Sequence, residues 1–127
     1  MSATQAYLEH VAIHVRDIAP HIAFFRDVLD MTITQLDGDP AAPRQVWLLG
    51  GIQLIEDSSF VGPEGRCSHL GIVCADVPAA IEAAIANGAK TTAKGAHWLE
   101  LPDGLLLEFL PEKKDAVRIV RDLDPRI

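Results

Sequence analysis

An internal repeat is the feature that most constrains the fold of this chain. Residues 9–17 read Glu-His-Val-Ala-Ile-His-Val-Arg-Asp, and residues 68–76 read Ser-His-Leu-Gly-Ile-Val-Cys-Ala-Asp. Each segment has a histidine near the start of an apolar run and an aspartate seven positions later, and the two copies lie 59 positions apart. A repeat of this kind indicates a duplicated structural unit. We therefore expect one site that is shared between two related halves.

Both copies predict the same order of elements. For the first copy we predict a strand at 7–16, a helix at 18–30 capped by Asp17, a strand at 31–36, a loop at 37–43 and a hairpin of strands 45–49 and 52–56 around Gly50-Gly51. For the second we predict a strand at 67–74, a helix at 77–87 capped by Asp76, and strands at 89–93, 97–101 and 105–110 with a turn at 102–104.

This order is βαβββ twice, and it favours an α+β fold in which two modules form a cupped, mostly antiparallel sheet. Residues 1–127 are predicted to be a single domain, with repeats at about 7–57 and 67–111. The linker-like segment 57–66 separates the repeats, and the tail 112–127 is expected to hold a short helix.

Charge and composition exclude several classes of partner. The net charge of −7 disfavours binding to nucleic acid or to an anionic membrane, because both need an excess of Lys and Arg. No apolar run is long enough to span a bilayer, and the first residues do not resemble a signal peptide. Cys67 and Cys74 lie on one predicted strand, so we expect them not to pair and expect a cytoplasmic protein.

Four side chains, one from each outer strand of each copy, are candidate metal ligands: His10, Gln53, His69 and Glu108. A carboxylate within the apolar strand 105–110 is costly to bury without a partner, and a divalent metal is a suitable partner. Nitrogen and oxygen donors suit Zn, Ni, Co, Fe or Mn without selecting among them, and the lack of cysteine disfavours a closed structural zinc site. For each histidine alone, a hydrogen-bonded core residue is the ordinary expectation, and Gln53 is either a ligand or a polar residue lining the cup.

The chain resembles the vicinal oxygen chelate superfamily, which includes glyoxalases, bleomycin-resistance proteins and ring-cleaving (extradiol) dioxygenases. The resemblance rests on the segments Leu8–Asp17, Phe24–Met31, Gln53–Glu56, Ser68–Ile72 and Pro102–Phe109. It implies a glyoxalase-like fold and matches the four candidate residues to the metal-ligand positions of the superfamily. The His/Gln/His/Glu set resembles that of methylmalonyl-CoA epimerase, although no acidic residue in 44–49 matches the extra carboxylate base of that family. Fosfomycin-resistance enzymes and extradiol dioxygenases share a His/His/Glu set, which this chain also satisfies.

These observations predict a metal-dependent lyase or isomerase whose small substrate chelates the metal through adjacent oxygens. The metal is expected to stabilise an enediolate after proton removal, with Glu108 as the base and His14 as a second acid/base or a substrate donor. Two alternatives stay open: an Fe(II) ring-cleaving dioxygenase that uses His10, His69 and Glu108, and a non-catalytic, bleomycin-resistance-like protein that sequesters a ligand. The loops at 37–44 and 57–66 carry no recognisable phosphate, glutathione or coenzyme A motif. A homodimer is expected.

Overall fold

The structure, a computed structural model, describes residues 2–102 and 104–123. The fold is α+β, with eight strands and three helices among these residues, and it confirms the predicted βαβββ order in both copies. The elements in chain order are β1 (Ala6–Val15), α1 (Ile18–Leu29), β2 (Ile33–Asp39), β3 (Ala42–Leu48), β4 (Ile52–Glu56), β5 (Cys67–Cys74), α2 (Val77–Ala86), β6 (Lys90–Thr92), β7 (Gly95–Glu100), β8 (Leu106–Pro111) and α3 (Ala116–Leu123).

The chain divides into two compact units. One comprises residues 10–68, and the other comprises the residues before 10 together with those from 69 onward. We call them the 10–68 unit and the 69–123 unit.

In the 10–68 unit the strands follow the order β2-β3-β4-β1. Strand β1 is parallel to β4, because helix α1 and the β2–β3 hairpin intervene, whereas β3 is antiparallel to both of its neighbours. The core of this unit contains buried apolar side chains from β1, α1, β3 and β4, namely Val15, Ile18, Val46, Leu48 and Leu54.

Helix α1 begins where the sequence predicts. The Asp17 carboxylate accepts a hydrogen bond from the Ala19 N–H, and the Glu56 carboxylate accepts one from the Ile18 N–H at 3.0 Å. Two of the N–H groups that have no partner within the helix are thereby satisfied, and one of the acceptors comes from the end of β4. The helix start is thus held both by its local cap and by the sheet.

The prediction that residues 37–43 form a loop is wrong. Strand β2 continues to Asp39 and β3 begins at Ala42, so the connection is a turn of only two residues. The Asp39 carboxylate accepts a hydrogen bond from the Ala41 N–H at 2.9 Å and stabilises this turn.

Glycine and proline are tolerated in this hairpin for identifiable reasons. Gly38 has φ of 99° and lies next to a register irregularity, where a residue without Cβ is favoured. Pro43 pairs with Gly38, but β4 pairs with β3 only from Gln45 onward. The missing N–H of Pro43 is therefore not needed by β4.

The predicted β3–β4 hairpin is confirmed. Both Gly50 and Gly51 have positive φ, of 103° and 105°, as tight hairpin turns require. Residues 57–66 contain no helix or strand, as predicted.

In the 69–123 unit the strands follow the order β5-β8-β7-β6, with β5 parallel to β8 and the other two pairs antiparallel. The Asp76 carboxylate accepts a hydrogen bond from the Ala79 N–H at 3.0 Å and caps α2, as predicted. The core is formed by Cys74, Ala80, Ala89, Leu99 and Phe109.

The remaining predictions concern the tail and the cysteines. Helix α3 is present, and it buries Val117. Cys67 and Cys74 are both free thiols. Some predictions fall on residues outside the described part of the chain. These residues are Met1, Asp103 of the predicted turn at 102–104, and residues 124–127 of the tail. No helix in the described part of the chain has the length and apolar character needed to cross a membrane.

Candidate metal centre

A histidine and a carboxylate lie side by side in the 69–123 unit. Strands β5 and β8 are parallel, and Gly71 is the register partner of Glu108. His69 is two residues before Gly71 and therefore points to the same face of the sheet as Glu108. The His69 Nε2 atom is 3.6 Å from the Glu108 Oε1 atom, and the two side chains are only 7% and 18% exposed.

Trp98 supports this pair from the neighbouring strand. It is the register partner of Glu108 across β7 and β8. Its ring meets the His69 ring edge to face, with the centroids 4.7 Å apart. A T-shaped aromatic contact of this kind restricts the orientation of the imidazole. Trp98 was not among the site residues predicted from the sequence, because only its pairing with Glu108 places it beside the candidate ligands.

The 10–68 unit carries the equivalent pair, His10 and Gln53. Ala12 is the register partner of Gln53 in the parallel β1–β4 pair, and His10 is two residues before Ala12. This is the same relation that His69 and Gly71 have to Glu108. Both His10 and Gln53 are 4% exposed. The repeat therefore extends beyond the order of strands to the placement of the polar side chains.

In the side-chain amide of Gln53, the nitrogen has a hydrogen-bond partner and the oxygen has none among the described residues. Its nitrogen donates a hydrogen bond to the Gln45 Oε1 atom at 2.8 Å. Its Oε1 atom is buried and has no hydrogen-bond partner among the described residues. A buried acceptor without a partner costs about 1–3 kcal/mol. Gln45, which the sequence analysis missed, thus fixes the amide so that its oxygen remains available.

These donors fit a divalent cation. Zinc binds imidazole nitrogen and carboxylate oxygen at about 2.1 Å, so two such ligands at a tetrahedral angle lie about 3.4 Å apart. The 3.6 Å between His69 and Glu108 is close to that separation. His69 and Glu108 therefore provide two donors of the 69–123 unit at a separation that suits a divalent cation. In the 10–68 unit, the buried His10 imidazole and the unpartnered Gln53 oxygen are donors of the same kinds of chemistry.

His14 is the other residue predicted to act in catalysis, and it contacts the segment that follows β4. Its Nδ1 atom is 3.8 Å from a carboxylate oxygen of Asp57, and its ring stacks on Phe60 with the centroids 6.3 Å apart. Hydrogen bonds from Ser59 and, to a lesser extent, the nearby His14 lower the pKa of Asp57, although partial desolvation opposes them. These contacts join His14 to residues 57–60, which follow β4.

Comparison with known proteins agrees with this description. A family model described as a glyoxalase-like domain matches residues 10–109. No curated protein sequence matches the chain.

Several solved structures share the fold. A hypothetical protein from Bacillus halodurans C-125 is 21% identical with a TM-score of 0.63, and the match covers 87% of this chain and 96% of that one. Methylmalonyl-CoA epimerase from Mycobacterium tuberculosis is 19% identical with a TM-score of 0.62, covering 87% and 91%. The 2,3-dioxygenase LapB from Pseudomonas sp. KL28 is 18% identical with a TM-score of 0.60, covering 84% of this chain and 42% of the dioxygenase.

The family model spans most of the chain, including all four candidate ligands, and the solved structures have the same fold. The chain therefore belongs to the glyoxalase-like domain family, within the vicinal oxygen chelate superfamily.

Proposed function

We propose that the chain is a metal-dependent enzyme of the lyase or isomerase type, acting on a small substrate that chelates the metal through adjacent oxygens. The observation that carries this proposal is the pairing of Glu108, a carboxylate in an apolar strand, with the buried His69 at 3.6 Å. Keeping a carboxylate in such a strand is costly unless a partner compensates its charge, and a divalent cation held jointly with His69 would do so. A protein that only enclosed an apolar ligand would have no use for it.

In this proposal His10, Gln53, His69 and Glu108 hold the metal, which is Zn, Ni, Co, Fe or Mn. When bound, a divalent cation supplies Lewis-acid stabilisation of negative charge on the substrate oxygens. Gln45 holds the Gln53 amide nitrogen and so presents its oxygen. Trp98 orients the His69 ring.

Glu108 is the proposed base, because its carboxylate can accept a proton from the substrate carbon next to a carbonyl. Its counterpart in the other unit is Gln53, and an amide cannot accept a proton in this way. Proton transfer is therefore expected to be one-sided, with a single carboxylate acting. His14 is proposed to donate to the substrate or to act as a second acid/base, since it lies on the same strand face as His10.

A second candidate function is Fe(II)-dependent ring cleavage. His10, His69 and Glu108 provide two imidazoles and one carboxylate, the ligand set of many non-haem Fe(II) oxygenases. The similarity in fold to a 2,3-dioxygenase adds support to this candidate. In that case Gln53 would have a structural role.

The epimerase with the same fold acts, by its name, on a coenzyme A ester. Its substrate is one candidate class here, and other small compounds with neighbouring oxygens are equally compatible with the donor set. A homodimer and a cytoplasmic location remain part of the proposal.

Metal analysis of the purified protein beside a His10→Ala, Glu108→Ala double variant tests this function. The matched control is His97→Ala, Glu100→Ala, which removes the same two residue types from exposed positions on β7. We expect about one metal ion per chain in the wild type and in the control, and almost none in the double variant. Proton exchange on candidate substrates, assayed with and without oxygen, then separates isomerase from oxygenase.

Each outcome distinguishes the candidates. Turnover that needs no oxygen supports the isomerase, and oxygen-dependent turnover with Fe(II) supports the dioxygenase. No metal in the wild type, after loading with Zn, Ni, Mn and anaerobic Fe(II), would leave a ligand-sequestering protein and contradict both enzymatic candidates.

A further inference from the structure

A second recess lies in the 10–68 unit, at the end of β1 and the start of α1. Its volume is about 290 Å³, near the lower end of the range for small-ligand pockets. Its lining is formed by Arg16, Asp17, His21, Phe60, Val61 and Arg66. Arg16 follows His10 by six residues, which is about 20 Å along an extended strand. The recess is therefore separate from the candidate metal centre.

The recess is locally positive in a protein whose net charge is −7. Two guanidinium groups line it, together with an imidazole, and Asp17 is the single acidic residue. The Arg16 side chain is exposed and makes no hydrogen bond or ion pair with any residue that the structure describes. An arginine without an acidic partner keeps all five N–H donors for a ligand.

Arg66 is held in place while keeping most of its donors. One of its terminal nitrogens donates to the His14 carbonyl oxygen at 2.8 Å, and its guanidinium lies over the Phe60 ring at 4.6 Å from the centroid. Stacking on an aromatic face and a hydrogen bond to the backbone together reduce the freedom of the side chain. A preorganised guanidinium loses less entropy when it binds an anion.

His21 contributes a third polar group. Its Nδ1 atom is 2.7 Å from the Asp17 carbonyl oxygen, and because a carbonyl oxygen only accepts, Nδ1 carries the proton. The Nε2 atom is left for a ligand. The Asp17 carboxylate is engaged in part by the Ala19 N–H, which it caps.

We propose that this recess binds the phosphate group of a small organic phosphate. Two guanidinium groups match the charge of a phosphate monoester, and the planar fork of arginine matches the geometry of its oxygens. Phe60 and the exposed Val61 offer a short apolar surface for the organic part of the ligand. This site goes beyond the proposed metal-dependent reaction and does not depend on it.

Titration of the metal-free, full-length protein with three probes tests the site: inorganic phosphate, phenyl phosphate and benzoate. Binding is followed by calorimetry at low and high salt, and by NMR of the arginine Nε–H and His21 ring signals. We expect saturable binding of both phosphates, tighter for phenyl phosphate, and weaker binding at high salt. Benzoate should bind at least about tenfold more weakly, because it has fewer oxygens and less charge.

The variant Arg16→Gln should weaken phosphate binding by about tenfold or more, since a charge-assisted hydrogen bond is lost. Arg44→Gln is the matched control, because it removes the same charge from an exposed arginine in β3, outside the recess. A second variant, Val61→Asp, places a negative charge at a side chain that is 82% exposed, and should weaken binding without affecting folding.

Three results would overturn the proposal: no saturable binding of either phosphate, equal weakening by Arg16→Gln and Arg44→Gln, or benzoate binding as tight as phenyl phosphate. Because the titrations are done without metal, failure of this site and failure of the metal centre are distinguishable.

Discussion

Replacing Gln53 by methionine should stabilise the metal-free protein while weakening its affinity for metal. Methionine has nearly the same shape, but it removes the buried amide oxygen that has no hydrogen-bond partner among the described residues. That unsatisfied acceptor costs about 1–3 kcal/mol, whereas the lost hydrogen bond to Gln45 contributes about 0.5–1.5 kcal/mol. The Gln45 oxygen also loses its donor, but Gln45 is only partly buried, so water can replace that donor. The expected net effect is a gain of about 1 kcal/mol in the free energy of unfolding without metal.

The advantage of the variant disappears when metal is present. At a free metal concentration of about 100 times the dissociation constant, binding stabilises the wild-type protein by about 2.7 kcal/mol. Loss of one ligand should weaken binding by at least about tenfold, which halves that stabilisation to about 1.4 kcal/mol. Gln53 would then be a residue that lowers the stability of the metal-free protein and increases the affinity for metal.

The assay is urea unfolding of both proteins, once with a chelator and once with saturating metal. Gln45→Met is the matched control, because it removes the same hydrogen bond, keeps the Gln53 oxygen and leaves the Gln53 amide nitrogen without this acceptor. It should destabilise the metal-free protein by about 1–3 kcal/mol. Two results would contradict this reasoning. One is that Gln53→Met also destabilises the metal-free protein, and the other is that metal stabilises the Gln53→Met variant as much as the wild type. In either case Gln53 would not be a metal ligand whose oxygen is kept free in the metal-free protein.

Three further predictions concern stability and chemistry away from the metal centre. Leu54→Ala should lower the free energy of unfolding by about 2–5 kcal/mol, because Leu54 is 0% exposed in the core; a loss below about 1 kcal/mol in urea unfolding would contradict this. Ser59→Ala should raise the pKa of Asp57, since the hydrogen bond from the Ser59 hydroxyl is the main cause of its lowering, and carboxyl ¹³C NMR would show it. Because the folded pKa is lowered, the contribution of Asp57 to stability is present above its unfolded pKa and is lost as pH falls through the folded pKa. Iodoacetamide should modify the exposed Cys67 and spare Cys74, whose pKa is raised by burial; mass spectrometry showing equal labelling would refute this.

Local signals in the sequence were sufficient to predict the order of the helices and strands and most of the residues at which they begin and end. The two aspartate caps, the Gly50-Gly51 turn and the strand at 67–74 depend on residues close together in the chain, and the structure confirms them. The loop predicted at 37–43 failed because glycine and proline were taken as strand breakers. Pairing with β3 and a bulge at Gly38 accommodate both residues within a hairpin.

The candidate ligands could also be proposed from the sequence, because alternation along a strand determines which side chains share a face. Alternation does not determine which residues lie opposite each other. The register that sets Gly71 against Glu108, and Ala12 against Gln53, joins positions about 40 residues apart, and it depends on how whole strands pair. Trp98 and Gln45 became part of the site only through that pairing.

The repeat, the fold class and the identity of the candidate ligands were therefore determined by the sequence itself. Tertiary structure decided the supporting contacts and the second recess, in which Arg16 and Arg66 line one cavity although 49 residues separate them. The physical reason is that caps, turns and alternation are local properties of the backbone. Contacts between distant segments depend instead on the packing of the entire unit, which no short stretch of sequence specifies.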